Sequence, residues 1–99
     1  MPLYVLISEQ GPAWVEGRSM RDQKGWGDHA VFMNALTDDG LVVLGGPIGP
    51  GHPHRALLVL RATDPGALRS KLAEDPWMRS GVLRMVELVP WELLLGTLP

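Results

Sequence analysis

Leu41-Val42-Val43-Leu44-Gly45-Gly46-Pro47-Ile48, then Gly49-Pro50-Gly51-His52-Pro53-His54, then Arg55-Ala56-Leu57-Leu58-Val59-Leu60-Arg61 is the stretch that decides the fold. The two outer runs are short and apolar, and the six residues between them hold too much Gly and Pro for a helix or strand. They read as two strands joined as a hairpin. Upstream, Leu3-Tyr4-Val5-Leu6-Ile7-Ser8 is a first strand stopped by the turn signal Gly11-Pro12. A loop over residues 10–18 follows, carrying an exposed Trp14. Ser19 with Asp22 three positions on reads as a capping pair for a helix that runs to about Asp39, with Gly40 as its stop. Gly25 and Gly27 weaken its first turns by about 1 kcal/mol each, which moves the expected start toward Asp28.

Downstream of the hairpin, Asp64 caps a second helix with Pro65 in its first turn and Ala67, Leu68, Lys71 and Leu72 along it. Asp75-Pro76 ends that helix. Val82-Leu83-Arg84-Met85-Val86-Glu87-Leu88 is a fourth strand, and Trp91-Glu92-Leu93-Leu94-Leu95 an apolar tail. The order is β-α-β-β-α-β, an α+β chain of the ferredoxin-like kind: a four-stranded antiparallel sheet with two helices on one face, in a single domain over residues 1–99. Such a sheet should alternate apolar and polar residues. The first three strands are instead apolar at nearly every position, so both faces need cover, and one chain supplies helices for only one. A second copy packed sheet against sheet is the simplest cover, making a homodimer the expected state.

Composition narrows the function. Ninety-nine residues with 45% hydrophobic content describe one globular domain. A net charge of −2 with scattered basic residues offers no footprint for nucleic acid. With no Cys, disulfides, thiolate ligands and a Cys nucleophile are excluded. The N-terminal residues show no secretory pattern, and the longest apolar runs are too short to span a bilayer, so a cytoplasmic protein is expected. No phosphate loop, dinucleotide fingerprint, nucleophile elbow or zinc spacing is present.

The chemistry centres on Trp26-Gly27-Asp28-His29-Ala30-Val31-Phe32-Met33. At about 100° per residue, Trp26, His29, Phe32, Met33 and Leu36 share one helical face, and His29 stands where burial normally selects Leu or Ile. It is either a hydrogen-bonded core residue or the border of a cavity. Asp75 either closes a turn before Pro76 or reaches His29 and fixes which ring nitrogen carries the proton, the arrangement of a general acid or base. Gly45-Gly46-Pro47 marks a β-bulge or the close approach of another group to the backbone. Trp14, Trp26 and Trp77 either wall an aromatic pocket or pack as core. Arg21 binds an anionic group or is solvated surface. His52 and His54, with no carboxylate nearby, read as solvated loop residues and not as metal ligands, in a mobile loop.

The ordered set Gly11-Pro12-x-Trp14, Arg21-x-Gln23-x-x-Trp26-x-x-His29-x-x-Phe32-Met33, Gly40 through Gly45-Gly46-Pro47, Asp75-Pro76-Trp77 and Trp91 resembles the YciI-like (YCII-related) family over almost the whole chain. The resemblance implies a dimeric α+β barrel and an active site built from His29 and Asp75. With it, Trp14, Arg21, Trp26, Met33, Gly46, Pro47 and Trp77 become the expected substrate-binding residues. Proteins of the wider barrel superfamily act on small, often aromatic molecules as isomerases, monooxygenases or dehalogenating enzymes, and some bind haem. Three readings follow. The first is a cofactor-independent enzyme of isomerase, lyase or dehalogenase type, moving protons on a small cyclic or aromatic substrate through His29 and Asp75. The second is a non-catalytic dimeric protein that holds a small ligand, and the third a haem-binding barrel.

Overall fold

The computed structural model describes residues 2–50 and 53–99. Four strands, β1 (Leu3–Gln10), β2 (Val42–Ile48), β3 (Arg55–Arg61) and β4 (Leu83–Trp91), form one antiparallel sheet in the order β2-β3-β1-β4. Three helices, α1 (Trp26–Asp38), α2 (Pro65–Leu72) and α3 (Pro76–Ser80), complete a ferredoxin-like α+β fold.

Local chemistry accounts for most boundaries. The Asp64 carboxylate accepts from the Gly66 and Ala67 amides at 2.9 and 3.2 Å, and Pro65 opens α2 behind it. At the end of α1, Gly40 takes the left-handed conformation (φ 82°). Its amide bonds to the Thr37 carbonyl and that of Leu41 to the Leu36 carbonyl, the paired bonds of a glycine-terminated helix. The start of α1 departs from expectation. Ser19 and Asp22 bond side chain to side chain at 3.0 Å around a single 3-10 turn (Met20–Asp22) and cap no helix. The helix begins at Trp26, behind a left-handed Gly25.

Asp75 does not simply terminate α2. That helix stops at Leu72, and Asp75 is the N-cap of α3, its carboxylate accepting from the Trp77 amide at 2.9 Å. The irregularity in β2 also lies elsewhere than expected. The register shift against β3 falls between Val42 and Leu44, while Gly45 is pressed against Leu57 and Leu58 of β3. A Cβ at Gly45 would meet the Leu58 side chain and stand 2.8 Å from the Leu57 carbonyl oxygen. Close backbone approach, and not a bulge, explains that glycine.

Alternation sorts the sheet residues. Tyr4, Leu6 and Ser8 of β1 are buried under the helices together with Val42 and Leu60, and Leu36, Leu68 and Leu72 come down on them. A second cluster, Trp77, Val82 and Leu83, gathers Trp14, Met20, Trp26 and Met78 at the other end of the helical layer. The opposite sheet face is apolar along its middle, where Val5 pairs with Val59 and Val89, Ile7 with Leu57, and Leu3 with Trp91, and charged toward its edges, where Leu3 meets Arg61 and Ile7 meets Glu87.

Candidate active site

Among the described residues, three polar side chains are buried: Ser8, Gln23 and Asp75, at 4%, 3% and 2% exposure. Ser8 and Asp75 border one cavity, and Gln23 holds the loop beside it. The cavity has a volume of about 450 Å³, within the range of about 300–1,000 Å³ usual for small-molecule sites. It lies between the helices and the β2-β3-β1 part of the sheet, and its walls are mostly apolar.

His29 enters from the first turns of α1 and Asp75 from the start of α3. The His29 Nδ1 stands 2.9 Å from both carboxylate oxygens of Asp75. An ionised carboxylate only accepts, so Nδ1 carries the proton and Nε2 is left as the acceptor of a neutral ring. Nε2 has no hydrogen-bond partner among the described residues. Asp75 is fixed in turn by the Trp77 amide. The Trp77 indole stacks on the imidazole at 4.1 Å and 11°, and its Nε1–H donates to the Lys24 carbonyl at 2.8 Å. One indole thereby ties the turn before α1 to α3 and clamps the His29 ring between its carboxylate and an aromatic face.

The other expected site residues fall into two groups. Trp26, Met33, Gly46, Pro47 and Trp77 line the cavity with His29 and Asp75. Trp14 and Arg21 lie one layer out. Trp14 is half-buried, not exposed: it packs edge-on against Trp77 and stacks on His54. Gln23 sets its loop by accepting from the Val15 amide and donating to the Val15 and Arg18 carbonyls. Arg21 lays its guanidinium over the Trp26 ring at 5.5 Å and is exposed.

His54 is the main correction. It is no solvated loop residue, because its ring stacks on Trp14 at 4.5 Å and 14° and borders the cavity. Its backbone extends the β1–β3 ladder, accepting from the Gln10 amide at 2.8 Å and donating to the Gln10 side chain at 2.9 Å. Burial pushes its pKa below the ordinary value, and the neighbouring His29 pushes it the same way. The reading of a solvated loop residue therefore fails at His54, while His52 lies outside the described residues. The signal for His54 was its place two residues before Ala56, on the same face of β3. Among the described residues, no three His, Cys, Asp or Glu gather as metal ligands, and no helix is long and apolar enough to cross a membrane.

No protein-family model matches the chain, and no curated protein matches it by sequence. By structure it is similar to 5-chloro-2-hydroxyhydroquinone dehydrochlorinase (TftG) from Burkholderia phenoliruptrix AC1100, solved in complex with 2,5-dihydroxybenzoquinone. The TM-score is 0.61 over 95% of each chain, at 17% sequence identity. The two chains share a fold.

Proposed function

We propose that the chain is a single YciI-like domain that acts as a cofactor-independent enzyme on a small cyclic or aromatic substrate, with His29 and Asp75 as its acid–base unit. The observation that carries this reading is the His29 Nδ1–Asp75 pair at 2.9 Å, with Nε2 unpartnered, inside an apolar cavity. Nε2 accepts a proton from a ring hydroxyl or an acidic ring C–H, and Asp75 stabilises the resulting imidazolium. The electron pair left behind moves into the ring. A ring carbon takes the proton back, which is tautomerisation; where that carbon bears chloride, a second ring hydroxyl then gives up its proton as chloride departs, so that HCl is lost and a quinone remains. Apolar walls of Trp26, Met33 and Trp77 suit a flat ring, and the ligand-bound dehydrochlorinase with the same fold lends support. In this reading the apolar outer face of the sheet is covered by a second copy, which closes the barrel.

The test is solvent exchange. In D2O, the protein should catalyse deuterium uptake at ring positions of hydroxylated aromatics or release chloride from chlorinated hydroquinones. His29→Gln and Asp75→Asn should each lower the rate by about 10²–10⁴-fold, and the double variant should lose little more than either alone. Binding without exchange or release by the wild type would move the assignment to the second reading, a ligand-holding protein.

A further inference from the structure

The cavity takes polar groups both from the helical layer and from the sheet, and the acid–base pair accounts for the first of these. His29 and Asp75 stand on the helical side. On the sheet side stand Ser8 of β1 and His54 at the entry to β3. Ser8 pairs with Ala56, and Gln10 exchanges backbone and side-chain bonds with His54, so Ser8 and His54 are diagonal neighbours on the cavity face. The Ser8 hydroxyl and the His54 imidazole nitrogens form no hydrogen bond among the described residues, and none of these atoms is sealed off from the cavity. Ser8 is nevertheless buried, at a sheet position where an apolar residue would cost less. A hydroxyl and an imidazole left unpaired on an otherwise apolar wall await partners from a ligand.

We infer that Ser8 and His54 form a second recognition pole, and that the substrate is a planar ring bearing two hydroxyl or carbonyl oxygens across the ring from one another. One oxygen meets His29 Nε2 and the other meets the His54 imidazole and the Ser8 hydroxyl. The inference rests on the acid–base reading of His29 and deepens it by naming what the far end of the ring must carry. Burial and the neighbouring His29 disfavour the charged His54 imidazole, and the neutral ring offers one N–H donor and one acceptor to an uncharged oxygen. The Trp14 ring beneath it fixes the imidazole plane. His54 is thus a specificity-determining residue for the second oxygen.

Binding of phenol and of hydroquinone, followed anaerobically by the NMR shift of the Trp77 indole N–H, tests this. The wild type should bind hydroquinone about five- to tenfold more tightly than phenol, the worth of one further hydrogen bond. His54→Phe keeps a ring on Trp14 but removes both nitrogens, and should erase that preference while changing phenol affinity less than about twofold. Ser8→Ala, which removes one hydroxyl from a strand, should reduce the preference independently and serves if His54→Phe does not fold. Equal wild-type affinity for the two probes would overturn the second pole and leave the aromatic site standing, as would a preference that survives both substitutions. An equal loss for both probes in His54→Phe would mark His54 as structural and also overturn the proposal. Failure of the wild type to bind either probe would remove the aromatic-site reading itself, and this inference with it.

Discussion

The imidazole of His29 and the indole of Trp77 lie 4.1 Å apart and within 11° of parallel, although 48 positions separate them in the chain. Trp77 is almost wholly buried, so its position is set by packing, and His29 takes its orientation from a fixed surface. The carboxylate two residues before that indole then receives Nδ1. Stack, hydrogen bond and helix cap are three consequences of one short segment, Asp75-Pro76-Trp77.

Trp77 should therefore be the most sensitive position of the site. Trp77→Ala should cost about 3–5 kcal/mol, a large share of the stability of a domain this size. Trp77→Phe keeps an aromatic face on His29 and loses mainly the bond to the Lys24 carbonyl, at about 1 kcal/mol. Urea denaturation of the two variants measures both. A Phe variant as unstable as the Ala variant would mean that the indole N–H, and not the buried ring, holds α1 to α3.

The pH dependence of stability should carry a His54 contribution of known sign. The folded-state pKa lies below the ordinary 6.5 of an unfolded histidine, so between the two values the unfolded chain binds more protons. The stability is fully present above about 6.5 and is lost as pH falls through the lower, folded value. The groups facing His54 are the Trp14 ring, the Gln10 side chain and the His29 imidazole. Urea midpoints from pH 7.5 to 5 should fall more steeply in the wild type than in His54→Gln. Parallel profiles would contradict the buried environment of this ring.

The two adjacent glycines of β2 should respond differently to the same substitution. Gly45→Ala places a methyl against Leu58 and the Leu57 carbonyl and should destabilise by about 1–3 kcal/mol, the usual cost of overpacking. Nothing lies within 4 Å of a Cβ at Gly46, so Gly46→Ala should be nearly neutral for stability and act, if at all, on ligand affinity. Thermal melts of the two variants decide this, and similar losses would mean that strand flexibility, not close packing, requires the pair.

A second copy over the outer sheet face should give a mass near twice the 10.8 kDa chain in light scattering. Val89, opposite Val5 on that face, is the position to test. Val89→Glu should yield monomers by placing a charge in the interface. A wild type that is monomeric at micromolar concentration would rule out the closed dimeric barrel and leave the face to the C-terminal residues. There, Leu94 and Leu95 are 78% and 88% exposed.

Element order was legible along the chain because it depends on short-range chemistry. Strand β3 matches its apolar run at both ends, Gly40 ends α1 by its freedom to take positive φ, and Asp64-Pro65 opens α2. The inward face of α1 was also legible, since a 3.6-residue period places His29 beside Trp26 and Met33 whatever packs against them. What escaped were segments without a period. Pro76–Ser80 is a single short helix, too brief to show an apolar stripe, so Asp75 read as a stop instead of a cap. Ser19 and Asp22 have the spacing of a capping pair but close only a 3-10 turn.

By itself, then, the sequence determined a β-α-β-β-α-β order, a sheet apolar on both faces and a histidine turned toward the interior, because sterics and hydrophobic periodicity act over a few residues. Only the tertiary structure decided that Asp75 reaches His29 across 46 positions and that His54 sits on Trp14 at the cavity wall. Those meetings depend on strand register and on how helices settle on a sheet. A shift of one residue would turn His54 to the other face. The free energy that selects the register comes from the whole core, and no local run of residues contains it.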